Sequence, residues 1–214
     1  MLQEVPHDAE TLFLAGVHAK SQQEYALAID YFRRGFEIDP ERHDLTVELA
    51  SQLMRTKEHS EAHGLLVSVG ARLSNSPYYS DMAATTFIGL GLPSEALPHA
   101  KNAYRLQPEV DLFAGNLASC CGFVGETARA IELYESLLAK RPGNRRNHYF
   151  LSKLRKAVDH NHIDVMKGIL SDDPESDSRN IFLLFALGKE CEDLALWADA
   201  FPWHQPGCTA PARP

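Results

Sequence analysis

An alanine that returns every thirty-four residues constrains this chain more than any other feature of its sequence. Ala28, Ala62, Ala96 and Ala130 stand at that interval. Four places after each come Phe32, Leu66, Ala100 and Tyr134, and seven after come Gly35, Val69, Ala103 and Leu137. Twelve before each is a second small residue: Gly16, Ala50, Ala84 and Ala118. Twelve after stand Pro40, Ser74, Pro108 and Pro142. Steps of three, four and seven put side chains on one helical face. A small residue there lets two helices approach closely, and the side chain four places later fills the volume beside it. The middle of each period breaks the apolar pattern, in "KSQQE", "RTKEH", "GLGLP" and "FVGET". Each period closes on proline or a polar pair, and proline cannot continue a helix. Two antiparallel helices of about fourteen residues, joined by a short turn, meet all of these requirements. One such hairpin cannot bury its apolar face alone, so neighbours must stack.

The fold class expected is therefore all-α, an α-α superhelix of antiparallel helix pairs. Four units follow a lead-in at residues 1–8: 9–42, 43–76, 77–110 and 111–144. The register slips after Gly143. "RRNHYFLSKLRKA" reads as a helix with Tyr149, Leu151 and Leu154 inward, and "HIDVMKGIL" as a second, short one. The polar "SDDPESDS" reads as a loop whose Asp and Ser residues can cap the next helix, so its four carboxylates, Asp172, Asp173, Glu175 and Asp177, need no catalytic role. Residues 145–180 thus form an irregular helix pair with its loop. Gly188 and Ala200 restore the twelve-residue interval of Gly16 and Ala28, so 181–201 starts another unit. In the proline-rich tail at 202–214, Pro202 takes the register of Pro98 and is expected in a tolerated first turn. Pro206 and Pro211 fall where interior bonds are needed, at about 3 kcal/mol each, so the last helix should be short.

These units resemble the tetratricopeptide repeat (TPR) superfamily, whose pattern has small residues at positions eight and twenty, an aromatic at twenty-four and proline at thirty-two. Unit 9–42 matches it in Gly16, Ala28, Phe32 and Pro40, and unit 111–144 in Ala118, Ala130, Tyr134 and Pro142. The other two depart from it, with Ser74 for the proline and Ala100 for the aromatic. The C-terminal third, roughly residues 148–208, is similar to arrays that precede a sulfotransferase domain in a subset of bacterial members. "LSKLRKA", "ILSDDPES" and "FALGKECEDLALWADAF" carry that likeness, although no Pro-Arg-Ser-Gly-Thr phosphate loop follows. The resemblance implies a TPR solenoid and a non-catalytic scaffold that binds a protein or peptide partner in its concave groove. The alternative it implies is the truncated or split regulatory or substrate-positioning region of a TPR-sulfotransferase, with a sulfotransferase domain in trans.

In this family, positions two, five, nine and twelve of each inner helix face the groove. They nominate Phe13, Val17 and Lys20; Val47, Ser51 and Met54; Tyr78, Asp81 and Thr85; and Leu112 and Ser119, with Asn116 beside Gly115. Only Lys20 is basic, so the carboxylate clamp of some arrays is missing. The lining suits an apolar or mildly basic extended peptide or helix.

A net charge of −8 argues against a nucleic-acid partner, because phosphate binding needs a basic surface. The longest apolar run, Ile181–Leu187, is far short of the roughly 20 residues of a membrane span. With no basic-then-apolar leader at the start, no membrane association and a cytoplasmic location are expected. The cysteines show no zinc spacing. Cys120, Cys121 and Cys191 read as core residues, and Cys208 falls in the tail. His59 and His63 flank a packing position and read as surface histidines, and His160 and His162 as turn residues, so no metal or other cofactor is expected. The basic stretch with Arg145, Arg146, Lys153, Arg155 and Lys156 reads as a solvated helix face, or else as a dock for an acidic or sulfated partner. No Ser-His-Asp arrangement or glycine-rich phosphate loop suggests an enzyme.

Overall fold

The thirty-four-residue period reappears in the backbone as a set of identical turns. Gln23, Lys57, Gly91 and Gly125, each thirty-four residues from the next, adopt left-handed φ values of +64°, +70°, +78° and +85°. One residue later in each case, a backbone N–H reaches back to cap the inner helix: Glu24 to Ala19, Glu58 to Leu53, Leu92 to Phe87 and Glu126 to Cys121, at 2.8–2.9 Å. This is the Schellman closure, in which a left-handed residue satisfies carbonyls that the helix end leaves unpaired. A fifth copy occurs at Ala195, with φ +58° and Leu196 N–H bonded to Cys191 O. Seventy residues separate Gly125 from Ala195, two more than two periods, which measures the slip after Gly143.

The computed structural model of the protein describes residues 8–172 and 177–204. Among these are twelve α-helices, one 3₁₀ turn and no strand. The chain divides into two compact bodies, Met1–Cys120 and Cys121–Pro214.

The N-terminal body holds α1 (Ala9–Ser21), α2 (Tyr25–Ile38), α3 (His43–Arg55), α4 (His59–Val69), α5 (Pro77–Gly89) and α6 (Pro93–Leu106). It also holds the first ten residues of α7 (Asp111–Val124). Consecutive helices pack as antiparallel hairpins, α1 on α2, α3 on α4 and α5 on α6. The core residues are those the period selects, including Ala28, Phe32, Ala62, Leu66, Ala96 and Ala100, all at 0% exposure. A Cβ built on Gly16 would lie 2.5 Å from the Phe32 ring, and one on Gly35 would lie 2.8 Å from Leu45. Glycine is therefore required at both places by contact. Where Ser74 replaces the unit-closing proline, α4 ends early at Gly70 and a 3₁₀ turn over Gly70–Leu73 takes its place. Arg72 ties that turn back to Pro40 O at 2.8 Å.

The C-terminal body holds α8 (Thr127–Lys140), α9 (Arg145–Leu154), α10 (Asn161–Asp172), α11 (Asp177–Asp193) and α12 (Trp197–His204). Its core gathers Ile163, Met166, Leu170, Leu183, Leu187 and Trp203. The backbones of α9 and α10 stay apart, so the two do not form a hairpin of their own. α9 packs on α8 and α11, and α10 packs on α11. Of the expected inward residues on α9, Leu151 is buried, Tyr149 lies against the core, and Leu154 meets Gly122. The polar loop is shorter than the sequence suggests: Ser171 and Asp172 finish α10, Asp177 opens α11, and residues 173–176 lie outside the described residues.

Pro202 stands sixth in α12, past the first turn, as Pro98 does in α6. The carbonyls that lose a bond to these prolines belong to Ser94 and Ala198, both exposed residues. Water can satisfy them, which is why the prolines are tolerated beyond the first turn. Pro206, Pro211 and Cys208 lie outside the described residues. Cys120, Cys121 and Cys191 are buried free thiols. No described helix is long and apolar enough to cross a membrane.

Two tests follow from these contacts. Gly16→Ala should lower unfolding free energy by about 1–3 kcal/mol, because the fully buried Phe32 ring has nowhere to go. Gly89→Ala should be near neutral, since only the flexible end of Met54 stands in the way. At the left-handed turns, Gly91→Ala should cost about 1–2 kcal/mol, while Lys57→Gly should change stability in the opposite sense. Urea unfolding midpoints read all four.

Candidate functional site

The N-terminal body places its inner helices α1, α3, α5 and the start of α7 in a row linked by polar contacts. Lys20 at the end of α1 donates to both oxygens of Glu48 on α3 at 2.7 Å. Asn116 on α7 donates to Asp81 Oδ1 and Oδ2 on α5, at 3.0 and 2.8 Å. Arg42, just before α3, donates to Glu10 Oε2 at 2.6 Å and forks onto Asp44, with its guanidinium 5.2 Å from the Phe13 ring. The outer helices are tied by exposed pairs instead, Arg33 to Glu61 and His63 to Glu95, each at 2.9 Å. Such surface pairs contribute little, about 0–1 kcal/mol.

These contacts set the charge of the inner face. Burial pushes the Asp44 carboxyl up, but hydrogen bonds from Arg42 and the Leu45 N–H outweigh it, and Asp44 ends below the usual carboxylate range. Burial, with Asp44 and Glu48 nearby, pushes the Tyr79 phenol up. Asp81 is pushed up to about 6 by burial, and the Asn116 amide only partly offsets this. Gln52 Oε1 on α3 is buried and has no hydrogen-bond partner among the described residues. Two cations, Lys20 and Arg42, are thus matched to Glu48, Glu10 and Asp44, while Asp81 has only an amide.

The twelve residues nominated by the sequence do not all reach the surface. Tyr78, Thr85 and Leu112 are exposed, and Phe13, Val17, Lys20, Ser51, Met54, Asn116 and Ser119 are partly so. Val47 is wholly buried and Asp81 is 6% exposed, so neither offers side-chain surface to a ligand. The reason is packing, because position five of α3 and of α5 turns inward as the inner helices lie side by side. The sequence reading missed Arg42, Glu48 and Tyr79. Glu48 carried a signal, since it follows Leu45 by three residues and precedes Gln52 by four on an otherwise apolar stripe.

In the C-terminal body the basic stretch divides. Arg145 turns to Asn180 Oδ1 at 2.8 Å and Arg155 to Glu135 at 2.9 Å. Arg146 and Lys153 lie over the rings of Phe150 and Tyr149, at 5.3 and 5.6 Å, and Lys156 is exposed. His59 is exposed, and His63 sits beside Phe87. His160 is exposed, but His162 turns inward to His148 and Glu190. Among the described residues no group of three or more His, Cys, Asp or Glu is arranged to hold a metal ion.

No family model matches the sequence. No curated protein matches it either. Solved structures do. YrrB, a TPR protein with an unusual peptide-binding site, superposes with a TM-score of 0.62 at 15% identity, over 84% of this chain and 91% of its own. A thermophilic TPR protein from Thermus thermophilus gives 0.59 at 16% identity, over 84% and 98%. The fold is that of the tetratricopeptide repeat. PilW, a type IV pilus biogenesis factor, gives 0.66 at 14% identity over 91% and 90%, so this TPR chain spans most of each of these structures.

Asp81 makes the inner face of the TPR array sensitive to pH. Its folded pKa of about 6 stands above the ordinary 3.8, so the folded state holds the proton more tightly than the unfolded chain. Stability from this group is present below about pH 4 and is lost as pH rises through about 6, a change of about 3 kcal/mol. In Asp81→Asn the difference in unfolding free energy between about pH 4 and pH 7 should shift by that amount, read by denaturant titration at both pH values.

Proposed function

We propose that this protein is a non-catalytic TPR scaffold that holds an apolar, mildly basic peptide or helix against the inner-helix face of its N-terminal body. One observation carries the reading: both cations on that face are already matched by carboxylates, and carboxylate is left over. Four acids, Glu10, Asp44, Glu48 and Asp81, share the face with only Lys20 and Arg42. A partner gains most by supplying Lys or Arg near this surplus and apolar side chains to Phe13, Val17, Met54, Tyr78 and Leu112. Exposed Tyr78 (53%) and Leu112 (60%) are the anchors of choice, since large apolar and aromatic side chains dominate such interfaces. The peptide-binding site of YrrB supports the reading by likeness of fold. The proposal includes a cytoplasmic location, in line with the sequence expectation, and no cofactor.

A second reading draws on α12, where Trp197 and Phe201 are 66% and 67% exposed one turn apart. An apolar pair of this kind favours the docking of a further domain, such as the sulfotransferase domain that follows similar arrays, in cis or in trans.

A randomised peptide library displayed against the full chain tests the first reading. Enriched peptides should combine Lys or Arg with Leu, Phe or Met. Tyr78→Ala and Leu112→Ala should each weaken a selected peptide by at least about tenfold, with melting temperature unchanged. Enrichment of acidic peptides, or binding indifferent to both variants, would overturn the proposal. Titration with a 3′-phosphoadenosine sulfate donor should show no binding, and saturable binding would overturn the non-catalytic reading.

A further inference from the structure

The segment between α9 and α10 is fastened to α11 at two points. Lys189 Nζ donates to Arg155 O at 2.5 Å and to Asp193 Oδ2 at 2.6 Å. The same Asp193 oxygen accepts the Ala157 N–H at 2.8 Å. Beside this strapped segment is a cavity of about 280 Å³ within the C-terminal body, lined by Arg155, Lys156, Ala157, Asp159, His162 and Glu190, among others. Its size lies at the small end of ligand pockets, enough for a compact metabolite and too small for a nucleotide or a folded peptide.

One wall is a hydrogen-bonded chain that can be counted proton by proton. Glu190 has 0% exposure, and its Oε1 lies 2.5 Å from His162 Nδ1. His162 Nε2 lies 2.8 Å from His148 Nδ1, and His148 Nε2 lies 2.6 Å from the Pro142 carbonyl oxygen. A carbonyl only accepts, so His148 Nε2 carries hydrogen. Three bonds need three protons among two imidazoles and one carboxylate. The two neutral rings supply two, and the third makes the chain neutral overall. The chain fully occupies Oε1. Glu190 Oε2 is buried and has no hydrogen-bond partner among the described residues, an arrangement folded proteins avoid.

Charge complementarity limits what suits the cavity. A buried carboxylate oxygen needs a donor, and a charged donor makes the stronger bond. An amine alone would meet Lys156 and Arg155 at the rim with nothing to offer them. An anion alone would face the unpartnered oxygen. Arg155 is partly committed to Glu135 at 2.9 Å, whereas Lys156 is exposed with its ammonium available at the rim. The first turn of α10, which begins at Asn161, adds the favourable end of a helix dipole for an anionic group.

We infer that this cavity binds a small zwitterion of free amino-acid size, its ammonium donating to Glu190 Oε2 and its carboxylate resting against Lys156 and the start of α10. The His148–His162 chain holds the Glu190 carboxylate in position by occupying its other oxygen. This site lies in a different body from the proposed peptide face, so either can fail without the other.

Calorimetric titration of the full chain with the common L-amino acids, one at a time at millimolar concentration, tests the inference. At least one should bind with one-to-one stoichiometry. Its decarboxylated amine and its deaminated acid should each bind at least about tenfold more weakly. Lys156→Ala, at an exposed position, should weaken that amino acid severalfold with no change in melting temperature, and Glu190→Gln should abolish its binding. Should Glu190→Gln fail to fold, the matched amine and acid together with Lys156→Ala decide the question. Absence of binding by every amino acid, equal binding by the amine, or affinity untouched by Lys156→Ala would overturn the inference.

Discussion

The close approach of the first two helices depends on a missing methyl group. The Phe32 ring occupies the space that a side chain at position 16 would fill, 2.5 Å from where its Cβ would stand. Phe32 itself is wholly buried, so the ring cannot swing aside. Gly35 repeats the device toward Leu45, the first core residue of the next hairpin. One face of α2 thus packs on α1 and the adjoining face on α3, and small residues at both contacts bring large side chains into register. In a structure built from stacked hairpins, each interface positions the next, and so the tightest contacts govern the row of inner helices from which the binding face is made.

The turns do the same work at the chain level. Each inner helix ends on a left-handed residue, yet only Gly91 and Gly125 are glycines, and Gln23, Lys57 and Ala195 accept a conformation that costs them energy. The strain persists because the turn is over-determined by the helices on either side and by its closing hydrogen bond. Its recurrence at Ala195 shows that α11 and α12 are a hairpin of the same kind. Between them and α8 lies an irregular pair, whose loop leaves room for a cavity.

Both candidate sites rest on carboxylates that helix packing has taken out of water. Glu48 is paired, Asp81 is held by an amide, and Glu190 is bonded through one oxygen only. Each stands on an inner helix among apolar neighbours. Ion pairs and hydrogen bonds within one helix are readable from spacing, as with Lys189 and Asp193 four residues apart. Lys20 and Glu48, or His162 and Glu190, are 28 residues apart, and only the docking of separate helices brings them together.

The sequence by itself determined the helix pairs, their small contact positions, the order of the first four units and the excess of acid. All of these follow from local periodicity and composition, which act over one or two turns of helix. It also placed Tyr78, Thr85 and Leu112 among the candidates on the inner face, where they are exposed. The tertiary structure decided which position-five residues turn inward, removing Val47 from the surface and burying Asp81. It likewise divided the basic stretch, since Arg145 and Arg155 found partners on other helices while Lys156 remained exposed. The histidine chain and the unpartnered oxygen of Glu190 were settled there too. Burial and pairing at these places depend on how neighbouring helices rotate against each other, and a repeat pattern specifies that rotation only to within about one side-chain position.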